Sequence, residues 1–245
     1  MIFLFTDFGH TGPYVGQVHA VLKRELPAVP VIDLMHDAPA FDAQSAAYLL
    51  PAVAAQARPG DVVMAVVDPG VGGARACAAL NADGVWYVGP DNGLLSQVQR
   101  RATRSDAFVL PVSAQASATF HGRDVFAPAA VHLLTQGRCE ASAPMPAMQL
   151  DRPDWPDDLA RIVYIDGYGN AFTGLRVTSL AQGTSLRVAE TALPEYRTFG
   201  DAPAGRAFWY ANSSGMAEIA LNGANAAKTL GLAVGTPVNL HRNVP

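Results

Sequence analysis

A chain of 245 residues, half of them apolar and 16% charged, with a net charge of −4, is long enough for one large domain or two smaller ones with separate cores. It carries no basic field for nucleic acid and no apolar run near the roughly 20 residues that a membrane span needs, so neither is expected as a partner. Its two cysteines, Cys77 and Cys139, stand far apart without CxxC spacing, which argues against a disulfide framework or a zinc site and for a reducing, cytoplasmic setting.

The opening "MIFLFTDFGH" has a short apolar run, no basic region before it and an acid at Asp7, so it reads as a first strand and not as a signal peptide. "YVGQVHAVLKREL" repeats its apolar residues at helical spacing, "VPVIDLMH" is a second strand, and "FDAQSAAYLLPAVAAQA" suits a helix packed on a sheet. "DVVMAVVDPGVGG" is a third strand running into a glycine turn, and "CAALNADGVWYVGPDNG" places an "ADG" turn between two apolar runs, as in a hairpin. Then "LLSQVQRR" is helical, "AFVLP" is a strand, and residues 124–136 form a helix ended by Gly137. The alternation predicts an open α/β sheet domain over residues 1–138. Residues 139–158 carry Pro144, Pro146, Pro153 and Pro156 among scattered acids and read as a linker. The short strands of residues 159–245, broken by Gly, Asn and Ser, predict a smaller all-β domain, barrel-like or a sandwich.

Open sheets of this type hold ligands at the carboxyl ends of their strands. There the sequence places Asp7 after the first strand, Asp68 after the third with Arg75 seven residues on, Asp91 and Asn92 in "VGPDNGLL", and His121 in "FHGRD" beside Arg123 and Asp124. Each has a plainer reading when taken alone: an Asp after a strand caps a helix or forms a turn, Asp124 caps the helix it opens, and His121 is a bonded loop histidine. "DPGVGG" has neither GxGxxG spacing nor the lysine and hydroxyl of a phosphate loop, and the six histidines show no HExxH spacing. A ligand with little negative charge, bound without metal, fits this inventory better.

"TDFG" with "YVGQVHAVL", "VVDPGVG" followed by Arg75, "GPDNGLL", "FHGRDVFAPAAVHL", "IDGYGN", and "NSSGMAEIALN" with "GANAAKTLGL" run in one order over nearly the whole chain. In this it resembles the S-adenosyl-L-methionine (SAM) hydrolases that form adenosine, the SAM hydroxide adenosyltransferases, relatives of the fluorinases and chlorinases. The resemblance implies a larger N-terminal α/β domain, a smaller C-terminal β domain, and a homotrimer with sites between one subunit's N-domain and its neighbour's C-domain. It implies SAM as the small-molecule substrate and no cofactor. It makes Asp68, Arg75 and His121 the water-handling triad, a histidine held by an aspartate whose carboxylate the arginine fixes. Asp7 would chelate the ribose hydroxyls, with the Phe41 ring nearby. Asp166 would take the methionine ammonium, Asn170 the adenine edge, and Ser213 and Ser214 the methionine carboxylate, with Phe199 against the adenine. Outside the resemblance, Phe41 is equally a helix-entry staple, Phe199 a core residue, and the "DGYGN" and serine positions ordinary turns.

Two departures from the family pattern stand out. An acid usual before "YVG" is replaced by Gly12, which shifts ammonium recognition toward Asp166 or a local scheme altered by His10. The positions that line a halide pocket in the halogenating relatives read Asp68, Val71 and Gly122, and an ionised Asp68 would repel halide. The expected reaction is therefore attack of water on the ribose C5′, giving adenosine and methionine. The alternatives are a SAM-dependent halogenase, a non-catalytic SAM or adenosine sensor that has no need of the triad, and a metal-dependent nucleoside hydrolase.

Overall fold

The apolar run Ile2–Thr6 (β1) is buried along its length, and a strand of that kind needs neighbours on both edges and cover on both faces. The computed structural model describes residues 1–139, 143–146 and 150–242. In it the chain forms two units, Met1–Asp154 and Trp155–Pro245. In the first unit β1 is flanked by parallel strands Val31–Met35 (β2) and Val62–Val66 (β3). The sheet continues through Cys77–Ala82 (β4), Val85–Pro90 (β5), Ser105–Leu110 (β6) and Ala143–Met145 (β7), in the order β2-β1-β3-β5-β4-β6-β7. The β3–β5 pair is parallel, and the β5–β4, β4–β6 and β6–β7 pairs are antiparallel, β4 and β5 forming the hairpin that "ADG" predicts.

The helices follow the apolar periodicity. Tyr14–Glu25 (α1) buries Val18 and Leu22 and ends on Lys23 and Arg24, cations at the negative end of the helix dipole. Ala43–Val53 (α2) starts where the Asp42 carboxylate accepts the Ser45 N–H at 2.9 Å. Ser96–Arg101 (α3) is short, and Ala127–Gln136 (α4) stops at Gly137, which adopts φ +67°. The chain passes from β1 through α1 to β2 on one side of β1, then through α2 to β3 on the other. The carboxyl ends of β1 and β3 thus form a topological switch point, the ligand crevice of open α/β sheets.

The stretch read as a linker, 139–158, includes β7, paired along β6, and two residues tied into the first unit. Asp151 accepts from Arg100, and Arg152 donates to Asp91. Pro144 is compatible with this strand because β7 lies at the edge of the sheet, where a missing N–H breaks no ladder. The division between the units falls at 154/155.

The second unit comprises a four-stranded sheet and a three-stranded sheet, both antiparallel. The first contains Leu159–Ile165 (β8), Ala171–Arg176 (β9), Ala207–Ala211 (β12) and Met216–Leu221 (β13), in the order β12-β13-β9-β8. The second contains Thr184–Val188 (β10), Thr191–Leu193 (β11) and Asn239–Arg242 (β14). Among the described residues the expected barrel is not closed, and a single-turn helix, Ala226–Leu230, interrupts the all-β pattern. A core of Ile162, Leu175, Leu186, Trp209 and Ile219 holds the unit together.

Candidate active site

Asp7 and Asp68 follow two strands that lie side by side, Thr6 opposite Val66, so both aspartates come to the same mouth of the sheet. The Asp7 N–H donates to the Val66 carbonyl at 3.3 Å. Asn92, expected at this edge as a possible ligand contact, instead steadies it: its Nδ2 donates to the Val67 carbonyl, one residue before Asp68, at 2.8 Å. Asp91 is engaged by Arg152 Nη2 at 3.1 Å.

The turn after Asp68 is what returns Arg75 to it. Gly72 has φ +76°, and a Cβ there would stand 2.3 Å from the Ala118 carbonyl, so only glycine lets the turn press against the segment that leads to His121. Arg75 then grips Asp68 with two donors, Nε to Oδ1 at 3.0 Å and Nη2 to Oδ2, and lies over the Phe126 ring at 5.6 Å. The same Nη2 stands 3.0 Å from His121 Nδ1, while Nη1 donates to the Cys77 sulfur at 2.9 Å. The order is therefore aspartate, arginine, histidine. Arg75, and not Asp68, is the direct neighbour of the imidazole, contrary to the expected histidine held by an aspartate.

That order fixes a tautomer. A guanidinium has only N–H donors, so His121 Nδ1 must accept, and the proton of the neutral ring sits on Nε2. Burial and the Arg75 cation both hold the His121 imidazole below its ordinary value of 6.5, against the opposing pull of Asp68 and Asp124. Burial alone would lower the Arg75 guanidinium, but the bonds and charge of Asp68 outweigh it and raise it. Asp7 is pushed up, first by burial and also by repulsion from Asp68, while the Phe41 N–H opposes the shift.

Asp7, Asp68, His121, Val71 and Gly122 line one cavity of about 70 Å³ with Phe8, Thr119 and Phe120. Phe41 stands beside it. Its N–H donates to Asp7 Oδ2 at 3.3 Å, its backbone takes φ +61°, rare for a residue with a Cβ, and the residue is 79% exposed, so it is no buried staple. His10 has its ring 5.6 Å from that of His36, and His36 Nδ1 is 2.7 Å from Thr6 Oγ1, at the strand end that carries Asp7.

Asp124 does not cap α4. A π-helical turn, Gly122–Phe126, precedes that helix, closed by the Ala127 N–H on the Gly122 carbonyl. Asp124 instead accepts two bonds from Arg123 and one from the Ser117 N–H, while Arg123 Nη1 donates to Gln17 of α1.

In the second unit Asp166, Asn170, Phe199 and Ser213 line a cavity of about 730 Å³. Ser214 does not line it, and its N–H donates to Asn212 Oδ1 at 3.0 Å. The "DGYGN" turn is closed by Asp166 itself, which accepts the N–H groups of Tyr168 and Asn170 and the Asn170 side-chain amide. Gly169 in that turn has φ +87°, and a Cβ there would collide with Asn225 at 2.0 Å, which explains the glycine without a ligand.

Sequence reasoning missed Tyr168, Phe172, Tyr210, Asn212 and Glu218, which share this cavity. The readable signal for Glu218 was a single acid inside the apolar strand "MAEIAL". Among the described residues no group of His, Cys, Asp and Glu is arranged to hold a metal ion, and no helix is long and apolar enough to cross a membrane.

The chain matches the family described as SAM hydroxide adenosyltransferase in both parts, the N-terminal domain over residues 2–143 and the C-terminal domain over residues 160–239. It is 39% identical to the (R)-S-adenosyl-L-methionine hydrolase of Thermus thermophilus, the match covering 98% of each chain. It is 25% identical to the fluorinase of Nocardia brasiliensis over 98% of this chain and 96% of the other. The crystal structure of an uncharacterized conserved protein from Thermotoga maritima superposes with a TM-score of 0.86 at 26% identity, covering 99% of this chain and all of that one. With a paired aspartate edge, an Asp–Arg–His chain behind it and full-length matches in both domains, this chain belongs to the SAM hydroxide adenosyltransferase family.

Proposed function

We propose that this protein hydrolyses SAM to adenosine and L-methionine by attack of water on the ribose C5′, as a cytoplasmic homotrimer that needs no metal or other cofactor. The observation that carries the reading is the chain Asp68–Arg75–His121 ending at the cavity that Asp7 also lines. In the trimer the N-terminal cleft of one subunit and the C-terminal pocket of its neighbour share one substrate.

Asp7 accepts both ribose hydroxyls, and Phe41 covers the sugar. In the neighbour's pocket, Asp166 takes the methionine ammonium, Asn170 the adenine edge and Phe199 its face, while Ser213 and Ser214 take the carboxylate. Water is held by the His121 Nε2–H, which donates to its oxygen, and by Asp68. As the C5′–O bond forms, the C5′–S bond breaks and its electron pair passes to sulfur. A sulfonium leaves as a neutral thioether, so no acid is required. The one proton to be lost comes from the attacking water. Asp68 accepts it, since a carboxylate keeps lone pairs beyond the two that Arg75 occupies. The same carboxylate disfavours a halide nucleophile, which speaks against a halogenase.

Incubation of the purified protein with SAM and separation of the products tests this. Adenosine and methionine in equal amounts, unaffected by chelator, are expected. Adenine as product, or activity lost with chelator, would instead indicate a nucleoside hydrolase. A halogenated nucleoside formed in the presence of halide, or binding without turnover, would overturn it in favour of a halogenase or a sensor.

A further inference from the structure

Glu218 is only 2% exposed, yet it lines the large cavity of the second unit. It lies directly across the β12–β13 ladder from Tyr210, whose hydroxyl donates to Oε1 at 2.5 Å, and Asn212 Nδ2 donates to Oε2 at 2.9 Å. Both partners are neutral. Among the described residues the other charged one lining the cavity is Asp166, whose bonds are also to neutral N–H groups, and none of the lining residues is a lysine, arginine or histidine. Two carboxylates, one almost fully buried, thus face one cavity without a protein counter-ion in its wall. A buried ionised carboxylate ordinarily has one.

We propose that Glu218 is a specificity-determining residue: its buried carboxylate makes the C-terminal pocket select adenosyl ligands that carry a positive charge over neutral ones, the ligand supplying the missing counter-charge. The proposal rests on the SAM reading above. Burial, the largest influence, and repulsion from Asp166 push Glu218 upward, while the Tyr210 and Asn212 bonds pull it down. A cation seated in the cavity removes the conflict by favouring the ionised form. The preference has a structural reason to be absent from adenosine, which has neither sulfonium nor ammonium.

Glu218→Gln removes the charge and can keep the geometry. Asn212 Oδ1 is fixed by the Ser214 and Met216 N–H groups, so its Nδ2 stays in place to meet the new amide oxygen. The new NH₂ then faces Tyr210, whose hydroxyl can turn to accept. Calorimetric titration with SAM and with adenosine, in a His121→Ala background that slows hydrolysis, with Glu218 kept or replaced by Gln, reads the proposal apart from turnover. The expected result is about a tenfold weaker SAM complex in the variant, in line with a lost charge interaction at intermediate dielectric, with adenosine unchanged. Equal loss for both ligands would make Glu218 a packing residue and overturn the proposal, as would no loss for either. Tyr210→Phe keeps the carboxylate and deletes one bond to it, so the preference for SAM over adenosine should survive, and its disappearance would also overturn the proposal. A pocket that prefers SAM over adenosine and loses that preference in Glu218→Gln, in a native enzyme that releases no adenosine from SAM, would uphold the pocket and refute the hydrolase reading alone.

Discussion

The two cavities are built on opposite principles. The one at the sheet edge is small, about 70 Å³, and its charged groups are bound to one another: Arg75 holds Asp68 with two donors and His121 with a third contact. The one in the β unit is ten times larger and aromatic, and among the described residues its two carboxylates have neutral hydrogen-bond partners only. A locked network leaves little freedom to adapt to a ligand, but it holds a water and a proton acceptor in a fixed geometry. An open aromatic pocket with unmatched charge does the reverse, gripping a ligand without polarising any one bond of it. The difference predicts a separation in kinetics, with turnover assigned to the Asp68–Arg75–His121 network of the first cavity and affinity to the ribose contact of Asp7 and to the second cavity.

The sharpest way to break that separation is at His121. Replacement by Ala removes the N–H that holds the attacking water and is expected to lower kcat by about 10²- to 10³-fold, the worth of one preorganised donor, while the SAM dissociation constant changes little. Asp68→Asn should resemble it. His121→Gln, which restores an N–H donor near the Nε2 position, should recover part of the loss if holding water is the imidazole's task. A variant that turns over normally, or that merely fails to bind SAM, would abolish the assignment.

Acid sharpens the same point. The His121 ring sits below 6.5 because it is buried beside a cation, so it is neutral at neutral pH. Protonating Nδ1 would set two donors against each other at Arg75. Turnover should therefore be intact above 6.5 and fall as pH drops through the lower value of the ring, approaching tenfold per unit. An NMR titration of the ring in Arg75→Gln should show that value moving upward, toward the ordinary one, as the cation is removed. A ring that titrates above 6.5 in the native protein would contradict the arrangement.

A smaller effect is expected in the pocket. Phe199 is half-exposed and packs edge-on against Phe208 and Tyr210, with centroids 5.2 and 5.4 Å away. Phe199→Ala should raise KM by about 2- to 12-fold, the worth of one aromatic contact, and leave kcat alone. Steady-state kinetics with SAM would show this, and a fall in kcat of the same size would tie the pocket to the chemical step.

What the sequence shows of this arrangement follows from how local each feature is. The apolar runs of β1 and β3 and the carboxylates just after them are readable because strand period and strand end are local properties. The Arg75 contact with His121 spans 46 positions and depends on the Gly72 turn meeting Ala118, which no spacing rule encodes. The short edge strand β7 is hidden by its own proline, since proline density marks a linker wherever the sheet edge is unknown. Glu218 is visible only as a polar residue in an apolar strand, and its meaning comes from a cross-strand partner in "AFWYA".

Asp124 is where a local rule was applied and tertiary pairing prevailed. An acid at the start of a helical stretch is a reasonable cap, but the π-helical turn displaces the start of α4 to Ala127 and leaves Asp124 one residue from Arg123. Its removal should therefore cost what the Ser117 N–H loses, about 1 kcal/mol of unfolding free energy by urea titration, with nothing counted for the solvated Arg123. Asp124→Asn keeps an acceptor for that N–H and should be milder than Asp124→Ala. Both should spare turnover, because the Asp124 charge pulls the His121 imidazole upward and its absence leaves the ring more firmly neutral. A loss of kcat in Asp124→Ala with stability unchanged would move the carboxylate from the scaffold into the first cavity, and would mean that the network there has four members.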